Sequence, residues 1–183
     1  MTSLVRGEVV AVHRSGAHTF SKGRAKAITL LQGLGVEGDA HCGATVKHRS
    51  RVAVDPSQPN LRQVHLIHAE LFDDLGRADF DVGPGDLGEN ITTSGLGLLE
   101  LPAGTRLVIG EAVICVTGLR NPCRQIDDFR AGLLKQVLRR AGSGRIERLA
   151  GIVGTVARTG RVGPGDTIAV QLPAEPRYPL TQV

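Results

Sequence analysis

One cysteine in this chain sits where a thiol can do chemistry. In TGLRNPCRQIDDF, Thr117 to Phe129, Cys123 follows Pro122 and lies between Arg120 and Arg124. Apolar residues at helical spacing follow it: Ile126, Phe129, Leu133, Leu134, Val137 and Leu138. Proline suits the first turn of a helix, because it has no N–H to leave unpaired. The pattern therefore predicts a helix starting at Pro122, with Cys123 at its positive end. A helix N-terminus beside arginines favours the thiolate, the form that binds soft metals and attacks sulfur. The competing role is that of a small buried hydrophobe, which the polar neighbours Arg120, Asn121, Arg124 and Gln125 argue against. Cys115, in AVICVTG, is the contrast and reads as a core residue of a strand.

A second group lies in GVEGDAHCGATVKHRSR, Gly35 to Arg51. Asp39 and His41, two apart, can line one side of an extended segment. They either brace a loop or, with Cys42 and His65, ligate a metal, although the spacing matches no zinc signature. Lys47, Arg49, Arg51 and Arg62 form either an anion pocket or a solvated face. In a third group, GDLGENITTSG, the polar residues Asp86, Glu89, Asn90, Thr92 and Thr93 offer contacts to a heterocycle or simply build turns.

The elements that must position these groups are mostly strands. Leu4 to His13 alternates, as do Leu61 to Ile67 and the segments GTRLVIG and EAVICVTGL, with a hairpin at Gly110. Ala69 to Leu75 reads as a short helix stopped by Gly76, and 43–60 as a long basic loop. One longer amphipathic helix runs from Arg124 until AGSGR ends it. VGPGD occurs at Val82 and again at Val162, repeating one turn chemistry. The fold class is mainly β with helices (α+β), a closed or nearly closed barrel. The expected domain covers 1–170, and 171–183 is a proline-rich tail, extended or frayed.

A formal charge of +4 and a pI of about 9.3 admit a nucleic acid or a small anionic ligand. An aromatic content of 3% supplies no base-stacking platform, so nucleic acid is disfavoured. Three cysteines argue against a disulfide framework. The sequence shows neither a signal-peptide pattern nor an apolar run of the roughly 20 residues that span a membrane. A cytoplasmic protein with reduced thiols is expected.

GVEGDAH (35–41), RQVHLIHAEL (62–71), GDLGENIT (85–92) and TGLRNPCRQID (117–127) resemble, in this order, motifs of the MOSC domain, named for the C-terminal part of molybdenum cofactor sulfurases. The resemblance covers about residues 4 to 170 and implies a barrel like the β-barrel domain of pyruvate kinase. It also implies binding of molybdenum cofactor, a metal held by an anionic phosphorylated pterin. Cys123 matches the cysteine that ligates molybdenum in the related amidoxime-reducing proteins. The implied function is a small oxidoreductase that reduces N-hydroxylated compounds. Its catalytic candidates are Cys123, Asp39 and His41. Its cofactor contacts are Lys47, Arg49, Arg62, Asn90, Thr92, Arg120, Asn121 and Arg124. Electrons would come from a donor protein. The alternatives are a sulfur carrier that takes a Cys123 persulfide from a cysteine desulfurase, a cofactor-delivery module, and a zinc hydrolase at His41. No pyridoxal phosphate is expected, since 183 residues leave no room for that domain of the sulfurases.

Overall fold

The computed structural model describes residues 6–183. Leu4 and Val5 of the expected first strand lie outside them. Strand β1 (Arg6–Arg14) leads through a loop to β2 (Gly23–Ala25), β3 (Ile28–Leu31) and β4 (Gly35–Val36). The basic segment that follows is loop, apart from one helical turn, α1 (Arg49–Val52). Next come β5 (Val64–His68), α2 (Glu70–Arg77), β6 (Ile91–Ser94), and the hairpin β7 (Arg106–Ile109) and β8 (Ala112–Leu119). Two short helices, α3 (Gln125–Phe129) and α4 (Leu134–Val137), precede a second hairpin, β9 (Leu138–Arg140) and β10 (Ile146–Arg148). The final strands are β11 (Ile152–Arg158), β12 (Gly160–Val162) and β13 (Thr167–Gln171).

Seven strands close into a barrel in the order β13-β7-β8-β11-β5-β6-β1, with β1 pairing back onto β13. All these neighbours are antiparallel except β5 and β6. That parallel pair needs a crossover, and α2 supplies it. Strand alternation explains the closure. β1 and β8 turn Val9, Val12, Ile114 and Val116 into one aliphatic core with Leu66, Ile91, Ile152 and Ile168. Close strand approach decides one glycine. A Cβ on Gly151 (φ 87°) would lie 2.1 Å from the Leu66 carbonyl oxygen. Gly110, at φ 57°, turns the β7–β8 hairpin. Both VGPGD copies make the same turn, with Gly83 N and Gly163 N donating to the carboxylates of Asp86 and Asp166 at 2.9 and 2.8 Å.

Five expectations need correction. The long helix after Arg124 is two short ones, because Gly132 adopts φ 84° and the Asp127 carboxylate accepts the Leu134 N–H at 2.7 Å, restarting the helix. Ile126, Leu133 and Val137 are buried all the same, in a second core with Ile67, Leu71 and Leu75. AGSGR ends no helix but turns β9 into β10. Gly76 does not stop α2, which continues to Arg77. Cys115 is half-buried, since β8 presents it on the face opposite its core residues. The tail is extended and docked rather than frayed. Leu119 N donates to Thr181 O at 2.8 Å, and Leu180 is buried. Among the described residues, no helix is long and apolar enough to cross a membrane.

Candidate functional site

A cavity of about 370 Å³ opens at one side of the barrel, beside Cys123. Six parts of the chain supply most of its walls. The loop after β1 gives His18, Phe20 and Lys22, and the basic segment gives His41, His48, Arg49 and Arg51. The entry to β5 gives Arg62 and His65, and the approach to β6 gives Leu87, Gly88 and Asn90. Arg120, Asn121, Cys123 and Gln125 follow β8. Gln182, from the docked tail, completes the wall. Four arginines and a lysine thus face one space, and no carboxylate lines it among the described residues.

The two arginines nearest the barrel are hydrogen-bonded to main-chain oxygens. Arg120 donates to the Leu87 carbonyl oxygen at 2.6 Å, with its guanidinium 5.8 Å from the centre of the Phe20 ring. Arg62 donates to the Val183 carbonyl oxygen, while its own Nε is buried with no hydrogen-bond partner. Burial, and then repulsion from Arg51 and Arg120, pulls the Arg62 pKa down to about 10. Buried cationic groups ordinarily have partners, and the Nε of Arg62 has none among the described residues. Cys123 shares this wall half-buried, its Sγ 3.6 Å from the Gln125 side-chain oxygen.

The cysteine's setting differs from the expected one. Arg124 caps α3 and the helix proper starts at Gln125, so Cys123 precedes it. A helix of five residues adds little dipole. The positive surroundings of Cys123 come instead from Arg120 and Arg62. Arg124 points away, 91% exposed and 3.6 Å from Asp128 one turn on.

Asp39 stands behind the wall. It accepts the backbone N–H groups of Ser15 (3.3 Å) and His41 (3.0 Å), and side-chain bonds from His41 Nδ1 (3.2 Å) and Asn90 Nδ2 (3.1 Å). Lys22 Nζ lies 2.9 Å away in an ion pair buried on both sides. Burial alone would raise the Asp39 carboxyl. The His41 hydrogen bond and the Lys22 ammonium outweigh it and hold the group well below the usual carboxylate range. Lys22 is pulled down, chiefly by burial.

The structure therefore assembles His41, Arg49, Arg62, Asn90, Arg120, Asn121 and Cys123 around one cavity. Asp39 stands behind it, and three further candidates are left out. Lys47 folds its side chain over Gly43 and lines a separate small recess. Thr92 is fully buried in β6 and donates to Glu89 Oε1 at 2.9 Å. Arg124 is the third. Asn90 lines the cavity, but its amide is engaged: Nδ2 donates to Asp39 and to the His13 carbonyl oxygen, and Oδ1 accepts from His65 N. The metal set Asp39, His41, Cys42 and His65 does not form. Among the described residues no three such side chains cluster, and the His65 ring is hydrogen-bonded to Ala150 O at 2.8 Å. Lys22, His18 and Phe20 are site residues that sequence reasoning missed. A lone lysine or histidine in a polar loop carries no spacing signal.

Comparison with known proteins agrees with this geometry. The family model described as the MOSC domain matches residues 40–169. The crystal structure of the YuaD protein from Bacillus subtilis superposes with a TM-score of 0.77 at 23% identity, covering 95% of this chain and 100% of that one. YiiM from Escherichia coli gives 0.61 at 21% identity, covering 94% and 73%. YiiM from Geobacillus stearothermophilus gives 0.64 at 15%, covering 94% and 79%. These likenesses show the shared barrel. No curated protein matches the chain.

Proposed function

This chain belongs to the MOSC domain family, and from that premise we propose that its cavity binds molybdenum cofactor and reduces N-hydroxylated compounds. The observation that carries the reading is a wall of four arginines without a carboxylate, next to a half-buried thiol. Its donor set suits the proposed ligand. The orphaned Nε of Arg62 and the surplus of arginines on the wall favour an anionic, phosphorylated group. Cys123 offers the soft sulfur that a dithiolene-bound metal accepts. When bound, the cofactor supplies two-electron redox chemistry at its metal.

The chain's own residues have distinct tasks. Arg49, Arg51 and Arg62 attract and orient the anionic ligand, and Arg120, braced by Leu87 O, keeps positive charge beside Cys123. Phe20 and Leu87 shield one side of the cavity from water. Electrons come from a separate donor protein, because the sequence carries no flavin, haem or iron–sulfur motif.

The test is the metal and pterin content of wild type and Cys123→Ser from a cofactor-competent host, then reduction of N-hydroxylaminopurine with an artificial donor. Molybdenum and pterin in the wild type, turnover, and loss of metal or turnover in the variant are expected. Folded wild type without metal or pterin would overturn the reading. A persulfide on Cys123 after incubation with a cysteine desulfurase would then favour sulfur carriage.

A further inference from the structure

Asp39 and His41 divide one task unequally. The five donors on Asp39 occupy both of its oxygens, Oδ1 facing His41 and Oδ2 facing Ser15, Lys22 and Asn90. A carboxylate has about four lone-pair sites, so none remains for a ligand. Nor does Asp39 line the cavity. His41 does, with its side chain 28% exposed. Its Nδ1 is directed at Asp39, and Nε2 makes no hydrogen bond among the described residues.

We infer that His41 is the proton-handling residue of this site and that Asp39 is its positioning residue. The carboxylate can only accept, so it fixes a proton on Nδ1 and leaves Nε2 to face the cavity. Asp39 is itself immobilised from three sides, by Lys22, Asn90 and the Ser15 amide, so the ring direction is set by segments flanking β1, β2 and β6 and not by its own loop alone. Other charged or titratable groups face the ring. His18 meets it edge-on at 5.2 Å, His48 lies at 6.4 Å, and Arg49 and Lys22 share the wall.

The use of this proton rests on the reductase reading. The balanced reaction is R–NHOH + 2 H⁺ + 2 e⁻ → R–NH₂ + H₂O. The N–O bond breaks, nitrogen is reduced, and oxygen leaves as water. The electron-donor protein supplies both electrons. His41, protonated on both nitrogens, gives its Nε2 proton to the departing oxygen and is reprotonated from solvent; the second proton also comes from solvent.

Two measurements decide the inference. The first needs no cofactor: ring ¹⁵N shifts of His41 in labelled protein, at a pH where the ring is neutral. Wild type is expected to carry its proton on Nδ1 with Nε2 bare. Asp39→Asn, whose amide can donate to Nδ1, is expected to move the proton to Nε2. A wild-type ring protonated on Nε2 would overturn the inference. The second is turnover of cofactor-loaded His41→Gln, expected to fall about 10²–10⁴-fold with metal content unchanged. Unchanged turnover would also overturn it. If loaded wild type reduces nothing, the reductase reading fails, and the ring shifts still decide the roles of Asp39 and His41.

Discussion

Asp39 and Glu89 are both buried carboxylates, yet their surroundings push their pKa values in opposite directions. Glu89 accepts Gly85 N at 2.6 Å and Thr92 Oγ1 at 2.9 Å through one oxygen, and its Oε2 has no partner. Burial pushes its pKa up, against those hydrogen bonds. Asp39 meets the same upward push from burial, but the His41 bond and the Lys22 ammonium reverse it. A nearby cation and a full set of donors, more than depth, decide whether a carboxylate stays charged. The partners differ too: Asp39 faces the His41 ring, whereas Glu89 accepts from Gly85 and Thr92 around the loop before β6.

The sharpest way to break the contrast is Asp39→Ala. It strands Lys22 in a buried position, and a loss of about 3–5 kcal/mol is expected in urea unfolding. A loss below about 1 kcal/mol would mean that Lys22 finds water or another partner. Lys22→Met removes one charged donor and leaves Asp39 its other hydrogen bonds. Its expected loss is smaller, about 1.5–3 kcal/mol in the same assay. Glu89→Gln keeps an acceptor for Gly85 and Thr92, and should change stability by no more than about 1 kcal/mol.

Stability against pH separates the two carboxyls further. The Asp39 contribution is present above its ordinary value of 3.8 and fades as pH falls below it. The gap between wild type and Asp39→Asn should therefore close in that acid range. Glu89, raised above 4.5, works the other way. Its ionisation destabilises the fold as pH climbs past 4.5, so Glu89→Gln should gain on wild type with rising pH. The smallest stability effect belongs to Cys123→Ser. A half-buried thiol with one weak neighbour should shift unfolding by less than about 0.5 kcal/mol, even where bound metal is lost.

The barrel was more legible than the site. Alternation in β1 and β8, the Gly110 hairpin and the twin VGPGD turns are local patterns, and the structure keeps them. The helix after Arg124 misled because Ile126, Leu133 and Val137 hold the right faces on both sides of a break at Gly132. The tail misled for a different reason. Three prolines signal an extended chain, but not the unpaired edge near Leu119 that receives it. In the site, Cys123 announced itself through its neighbours, and Arg120 joined it as expected. Arg124, one residue after the cysteine, turned outward with α3. Lys22 gave no signal, because the carboxylate it meets lies beyond three short strands.

Closure joins β1 to β13, with Arg6 opposite Ala169. During synthesis β1 emerges first and can find β6 while the chain grows. Its other edge stays open until Thr167–Gln171 has left the ribosome. Such distant pairings form slowly, and open strand edges are where chains associate wrongly. Until the last strand arrives the nascent protein is an open curl of sheet, and the Cys123 cavity has neither a finished barrel beneath it nor the tail that completes its wall.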